Sequence, residues 1–143
     1  TVVSGNMKLG IAVGGDNNRV FVTNTHVGTD LLGIRATEPN GVIGIGNGDA
    51  GIRQFTETSS LTVGGGLSGS VRVVVSGNGY IGGFAGLEIS GNTTISNAHI
   101  GCNRDGLDRI NASNLRPGGD PTHQENFAYG NRAGGLKSYS VAR

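Results

Sequence analysis

Glycine fills 28 of the 143 positions, charged residues make up only 15% of the chain, and the formal net charge is +1. The lack of a Gly-every-third-residue period excludes collagen, and the low charge with recurring apolar runs excludes a disordered chain. No Lys/Arg cluster forms a stripe that would follow a nucleic-acid backbone, and no apolar run approaches the about 20 residues of a membrane span. We therefore expect neither a nucleic-acid partner nor insertion into a membrane.

Short strands are predicted along most of the chain. Helix is nearly excluded, because the longest glycine-free stretches are rich in Thr, Ser, Val and Asn, which disfavour helix interiors. Turn sequences such as Asn40-Gly41 and Gly91-Asn92 separate the strands. The predicted strands cover residues 8–13, 19–23, 31–36, 42–45, 52–56, 61–63, 70–76, 80–81, 84–89, 93–95 and 98–100.

The glycines inside these strands bear on the architecture. Gly33, Gly44, Gly83 and Gly86 each weaken an isolated strand by roughly 0.5–1 kcal/mol, and such glycines occur where another backbone approaches closely. Three chains wound about one axis impose that demand, whereas the absence of a strict short repeat disfavours a single-chain solenoid. With four Phe, three Tyr and no Trp, large core side chains are scarce, so burial between chains is expected to supply stability.

We therefore predict an all-β fold with little or no α-helix, built as an intertwined homotrimer of the triple β-helix or β-prism stalk type. Residues 1–100 form the predicted glycine-rich β stalk or receptor-binding region. Residues 101–143 form the predicted C-terminal β and turn region of the same trimer.

The sequence has no complete motif for binding a nucleotide cofactor or a metal ion. The glycine pattern of phosphate-binding loops occurs at 46–51, 64–69 and 77–82, but no helix-forming sequence follows any of them. His26, His99 and His123 lie far apart, without metal-ligand spacing. We expect no cofactor and no metal site.

The carboxylates assign no catalytic residue. Glycosidase chemistry needs two carboxyl groups close together, and the sequence places only Asp105 and Asp108 near each other. Arg104 and Arg109 flank that pair, which indicates ion pairs between strands or chains. A polysaccharide-degrading domain, either glycosidase or lyase, with carboxylates such as Glu88 or Asp105 at subunit boundaries, is the enzymatic alternative.

Polar and aromatic side chains are candidates for sugar binding, because polar groups meet hydroxyls while aromatic faces stack on sugar rings. In the alternative interpretation, Tyr80 and Phe84 pack in the core or between chains. The candidate glycan-binding residues are Arg53, Gln54, Arg72, Asn78, Tyr80 and Phe84.

The sequence Ile-Asn-Ala-Ser-Asn-Leu-Arg-Pro-Gly-Gly-Asp at 110–120 resembles a segment of bacteriophage tail fibres and tailspikes. In that family the segment lies ahead of a C-terminal intramolecular chaperone, which trimerises the fibre and cleaves itself off. Gly130-Asn131-Arg132 and the tail to Arg143 are similar to the region before the chaperone, and the chaperone itself is absent. The tryptophan-containing motif usual after this segment is missing, since the chain has no Trp.

The resemblance implies a homotrimeric stalk or receptor-binding region, as in endosialidase-like tailspikes, with a non-catalytic polysaccharide site. We expect a trimeric tailspike or tail-fibre segment that serves assembly and binds host cell-surface polysaccharide. Its expected location is the virion, after assembly in the host cytoplasm. A purely structural stalk, or a segment of a bacterial trimeric adhesin, is the other alternative.

Overall fold

The computed structural model describes residues 1–36, 44–64, 73–79, 86–96 and 98–100, and the backbone of 136–138. These residues form eleven short strands and no helix, which confirms the all-β prediction for this part of the chain. In chain order the strands are β1 (Val2–Val3), β2 (Ile11–Val13), β3 (Arg19–Val22), β4 (His26–Val27), β5 (Ile52–Gln54), β6 (Ser60–Gly64), β7 (Val73–Val75), β8 (Leu87–Ile89), β9 (Asn92–Ser96), β10 (Ala98–Ile100) and β11 (Leu136–Ser138).

The strands belong to three sheets, and all the strand pairs within them are parallel. Sheet A has the order β1-β4-β7-β10, sheet B the order β11-β8-β5-β2, and sheet C the order β3-β6-β9. The chain visits sheets B, C and A in turn, and each circuit stacks on the one before. The described strands therefore form a parallel β-solenoid within one chain.

This arrangement differs from the expectation that disfavoured a single-chain solenoid, and the reason is the unequal length of the circuits. Ile11, Ile52, Leu87 and Leu136 are successive register partners in sheet B, separated by 41, 35 and 49 residues. Loops of different length between the strands hide the repeat from a search for a fixed period. The pairing of β11 with β8 also joins residues 136–138, assigned to the C-terminal region, to the same sheet.

The core lies between the three sheets and consists of aliphatic side chains. In sheet C, Val22 and Val63 are register partners and point inward, while the preceding residues Phe21 and Thr62 point outward, as strand alternation requires. In sheet A the inward row includes Val27, Val75 and Ile100. The buried members of this cluster are Val13, Val22, Val27, Ile52, Leu61, Val63, Val73, Val75, Leu87 and Ile100.

Glycine is needed where one circuit meets the next, just before the strands of sheet B. A Cβ atom on Gly10 would lie 2.6 Å from the carbonyl oxygen of Gly51, and one on Gly51 would lie 2.7 Å from that of Gly86. Neither distance leaves room for a side chain. Close backbone approach therefore occurs at Gly10 and Gly51, which are not among the strand glycines of the sequence argument, and it joins successive circuits of one chain.

The predicted strand at 31–36 is wrong, because this segment belongs to a compact loop. The Asp30 side-chain oxygen accepts hydrogen bonds from the backbone amides of Ile34 at 2.9 Å and Arg35 at 3.3 Å. The amide of Asp30 also donates to the Arg35 carbonyl at 2.8 Å, which closes the loop. A carboxylate that binds its own backbone favours a turn over a strand.

Strands β1 and β4, of two residues each, and β11 were not among the predicted strands. The predicted strand at 80–81 and parts of those at 42–45, 70–76 and 84–89 lie outside the described residues. In the part of the chain that the structure covers, we find no helix with the length and hydropathy needed to span a membrane.

Candidate carbohydrate-binding surface

Asn78, one of the predicted glycan-binding residues, lies in a stack of asparagines at the corner between sheets A and B. The Asn47 side-chain amide donates to the Asn78 side-chain oxygen at 2.8 Å, and the Asn6 amide donates to the Asn47 oxygen at 2.7 Å. The Asn78 amide donates to the carbonyls of Val27 and Ser76, both at 3.1 Å. With 2% of its surface exposed, Asn78 holds the corner together rather than facing a ligand.

Gln54, another predicted site residue, is also turned inward. Its side-chain nitrogen donates to the Ser59 carbonyl at 2.9 Å, and its side-chain oxygen accepts from the Gly91 amide and the Thr93 hydroxyl, both at 3.0 Å. The side chain thus ties the turn after β5 to the turn before β9 of the next circuit. Because only 1% of Gln54 is exposed, its role is to clamp these turns.

Among the predicted site residues that the structure describes, Arg53 is the one that reaches the surface, on the outer side of sheet B. Its Nε atom lies 3.4 Å from Oε2 of Glu88, its register partner on β8. The guanidinium also stacks over the Phe55 ring, 5.0 Å from the ring centroid. The Arg53 side chain is 31% exposed, whereas that of Glu88 is 1% exposed, so the carboxylate considered for catalysis has almost no solvent contact.

The remaining predicted glycan residues, Arg72, Tyr80 and Phe84, lie outside the described residues, as does Asp105. Of the three candidates that the structure describes, Gln54 and Asn78 are buried parts of the framework, and Arg53 is partly exposed beside an aromatic ring.

A second surface, on the outer side of sheet C, was not singled out from the sequence. Strand alternation turns Val20 and Val22 inward and leaves Arg19 and Phe21 outward, with Phe21 69% exposed. The neighbouring strands contribute outward-facing hydroxyl and amide side chains at the matching register positions. We call this surface the sheet C face; its members are Arg19, Phe21, Ser60, Thr62, Asn92 and Thr94.

The sheet C face has two rows that run across the strands. Phe21, Thr62 and Thr94 form one row, and Arg19, Ser60 and Asn92 form the other. Neighbours within a row are about 4.7–4.9 Å apart, and the rows are separated by two residues of strand, about 6.6 Å. The parallel sheet thus presents an ordered grid of donors and acceptors with one aromatic ring at its edge.

Part of this surface could be predicted from the sequence. The alternation Arg19-Val20-Phe21-Val22 marks a half-buried strand, and it already places Phe21 opposite the valines. Thr62 and Thr94 could not be added from sequence alone, because their alignment with Phe21 depends on the register between circuits of unequal length.

The chemistry available on the sheet C face is recognition. Hydroxyl and amide groups exchange hydrogen bonds with a polar ligand, an aromatic face packs on apolar C–H groups, and a guanidinium pairs with an anion. Among the described residues, no group of His, Cys, Asp and Glu has an arrangement suited to a metal ion.

No family model, curated protein or solved structure shows significant similarity to this chain.

Proposed function

We propose that this chain is a segment of a trimeric phage tailspike or tail fibre that binds host cell-surface polysaccharide. The observation that carries the proposal is the sheet C face, where polar side chains and the exposed Phe21 ring share one ordered surface. Polysaccharides offer hydroxyls and apolar ring faces together, and this combination of side chains matches both. The resemblance of residues 110–120 to a tailspike segment supports the phage assignment.

Association of three copies is part of the proposal. Large apolar side chains are exposed in the loop that contains Asp30: Leu31 is 76% exposed, Leu32 56% and Ile34 39%. Covering such surface between copies gains about 25 cal/mol per Å². Because the described strands already pair within one chain, such contacts would join solenoids through outward side chains. The intertwining of three chains stays a prediction.

The first experiment is light scattering after size exclusion, with an unheated denaturing gel and an array of bacterial surface glycans probed in parallel. We expect a mass of three chains and binding to at least one glycan. A monomer that binds glycans would refute the trimer and retain the binding function. A trimer that binds nothing at high protein concentration would favour the structural stalk or adhesin segment.

The enzymatic alternative is tested on any glycan that binds. Glu88 is buried and paired with Arg53, a position that suits a structural carboxylate better than a general acid. We therefore expect no cleavage of the bound glycan. Cleavage that disappears in Glu88→Gln while binding persists would establish the enzyme instead.

A further inference from the structure

We infer that the sheet C face binds an acidic polysaccharide, with a sugar ring stacked on Phe21 and the sugar's carboxylate paired with Arg19. This inference rests on the proposed polysaccharide-binding function and names the ligand class and the residues that recognise it. Two observations carry it: the charge of the face, and the spacing of its side chains.

The first observation concerns charge. Arg19 is exposed, and no carboxylate among the described residues lies within salt-bridge distance of its guanidinium. The six members of the sheet C face include no acidic side chain. The acidic residues closest along the chain are in the turns before β3 and β6: Asp16, which accepts a hydrogen bond from Thr58 at 2.9 Å, and Glu57. A guanidinium in this setting offers two parallel donors to an incoming carboxylate.

The second observation concerns spacing along β3. Arg19 and Phe21 point to the same side of the strand, two residues and therefore about 6.6 Å apart. A pyranose ring that packs its C–H face on Phe21 carries a ring carboxylate outside its own edge. That separation brings the carboxylate within reach of the long Arg19 side chain while the ring stays stacked.

The row across the strands extends the contact to neighbouring sugars. Thr62 and Thr94 follow Phe21 at about 4.7–4.9 Å per strand, a step similar to the length of one sugar unit in an extended polysaccharide. Their hydroxyls can both donate and accept hydrogen bonds, as sugar hydroxyls do. The glycan chain therefore runs along the solenoid axis, with one sugar per strand.

The test compares each acidic glycan that binds the wild-type protein with its carboxyl-reduced form, by calorimetric titration of oligosaccharides. We expect carboxyl reduction, Arg19→Ala and Phe21→Ala each to weaken binding about tenfold or more. Arg19→Lys should recover part of the affinity, because it restores the charge without the planar fork. Circular dichroism of each variant checks that the solenoid is retained.

Arg35→Ala serves as the matched control, since Arg35 is an exposed arginine in the loop away from sheet C, and this substitution should not change affinity. Binding that survives Arg19→Ala and Phe21→Ala would overturn the inference and leave the proposed function standing. If Phe55→Ala weakened glycan binding and the sheet C variants did not, the binding site would lie on the surface formed by Arg53 and Phe55. Equal binding of native and carboxyl-reduced glycans would refute the acidic ligand, and failure to bind any glycan would refute the proposed function itself.

Discussion

Removing the Asn47 side chain should destabilise the solenoid, because this residue connects three circuits. Its amide nitrogen donates to the Val3 carbonyl at 3.0 Å and to the Asn78 side-chain oxygen at 2.8 Å. Its oxygen accepts from the Asn6 amide at 2.7 Å. Asn47 is fully buried, so water cannot take its place at the first two contacts without entering the corner.

The expected cost of Asn47→Ala follows from these contacts. Asn6 is exposed, so water replaces the bond that it loses. The two buried bonds are each worth about 0.5–1.5 kcal/mol net. The Val3 carbonyl keeps the Gly28 amide as a donor at 2.9 Å, so the substitution weakens this acceptor without isolating it. We therefore expect a loss of about 1–3 kcal/mol in the free energy of unfolding.

Urea denaturation followed by far-ultraviolet circular dichroism measures this loss, with all variants at one protein concentration because association would shift the midpoint. The matched control is Asn18→Ala. Asn18 is exposed and its amide donates to the Gly14 carbonyl at 2.5 Å, a bond that water can replace, so its loss should stay within about 0.5 kcal/mol. If Asn47→Ala cost no more than Asn18→Ala, the asparagine stack would not be a source of stability.

Three further substitutions test other parts of the framework. Gly51→Ala should lower the free energy of unfolding by about 1–3 kcal/mol, because the added Cβ would meet a carbonyl of the next circuit. Gly14→Ala is the control, since a Cβ there would have no atom within 4 Å. Equal thermal midpoints for the two variants would refute the close approach. Gln54→Leu should cost about 2–3 kcal/mol in urea, since it strips several buried partners, and a loss below about 0.5 kcal/mol would contradict the clamp. Asp30→Ala should speed hydrogen exchange at the Ile34 amide and leave the core strands unchanged; unaltered exchange there would show that the carboxylate does not hold the loop.

Local patterns were sufficient to predict most of the strands. Alternation in Arg19-Val20-Phe21-Val22 and the β-branched run Val73-Val74-Val75 identify β3 and β7 without tertiary information. The strand predicted at 31–36 was wrong because Leu31, Leu32 and Ile34 give this loop the composition of a strand. There the hydrogen bonds of one carboxylate outweigh the preference of the apolar side chains for a strand.

The candidate site was harder to predict, because polarity alone does not say which way a side chain points. Gln54 ends β5 and Asn78 follows β7; both are polar yet buried, since the corners of a solenoid leave backbone groups that need side-chain partners. Phe21 is apolar yet exposed, because the valines beside it occupy the inner face of β3. The register between circuits is needed to distinguish a buried polar side chain from an exposed apolar one.

A short sequence motif does accompany the register in sheet B, although its copies are unequally spaced and a search at a fixed period misses it. A short motif recurs at 5–11, 46–52 and 130–136: Gly-Asn, then any three residues, then Gly followed by Ile or Leu. A variant of the motif at 77–87 has a longer spacer between Gly-Asn and Gly-Leu. In each case the final aliphatic residue is a register partner in sheet B: Ile11, Ile52, Leu87 or Leu136. Asn47 and Asn78 are buried at the corner and Asn6 bonds to Asn47 from its exposed end, while the second Gly of the first two copies lies against the next circuit. This local motif marks where each circuit enters sheet B, and it is independent of how long the intervening loops are.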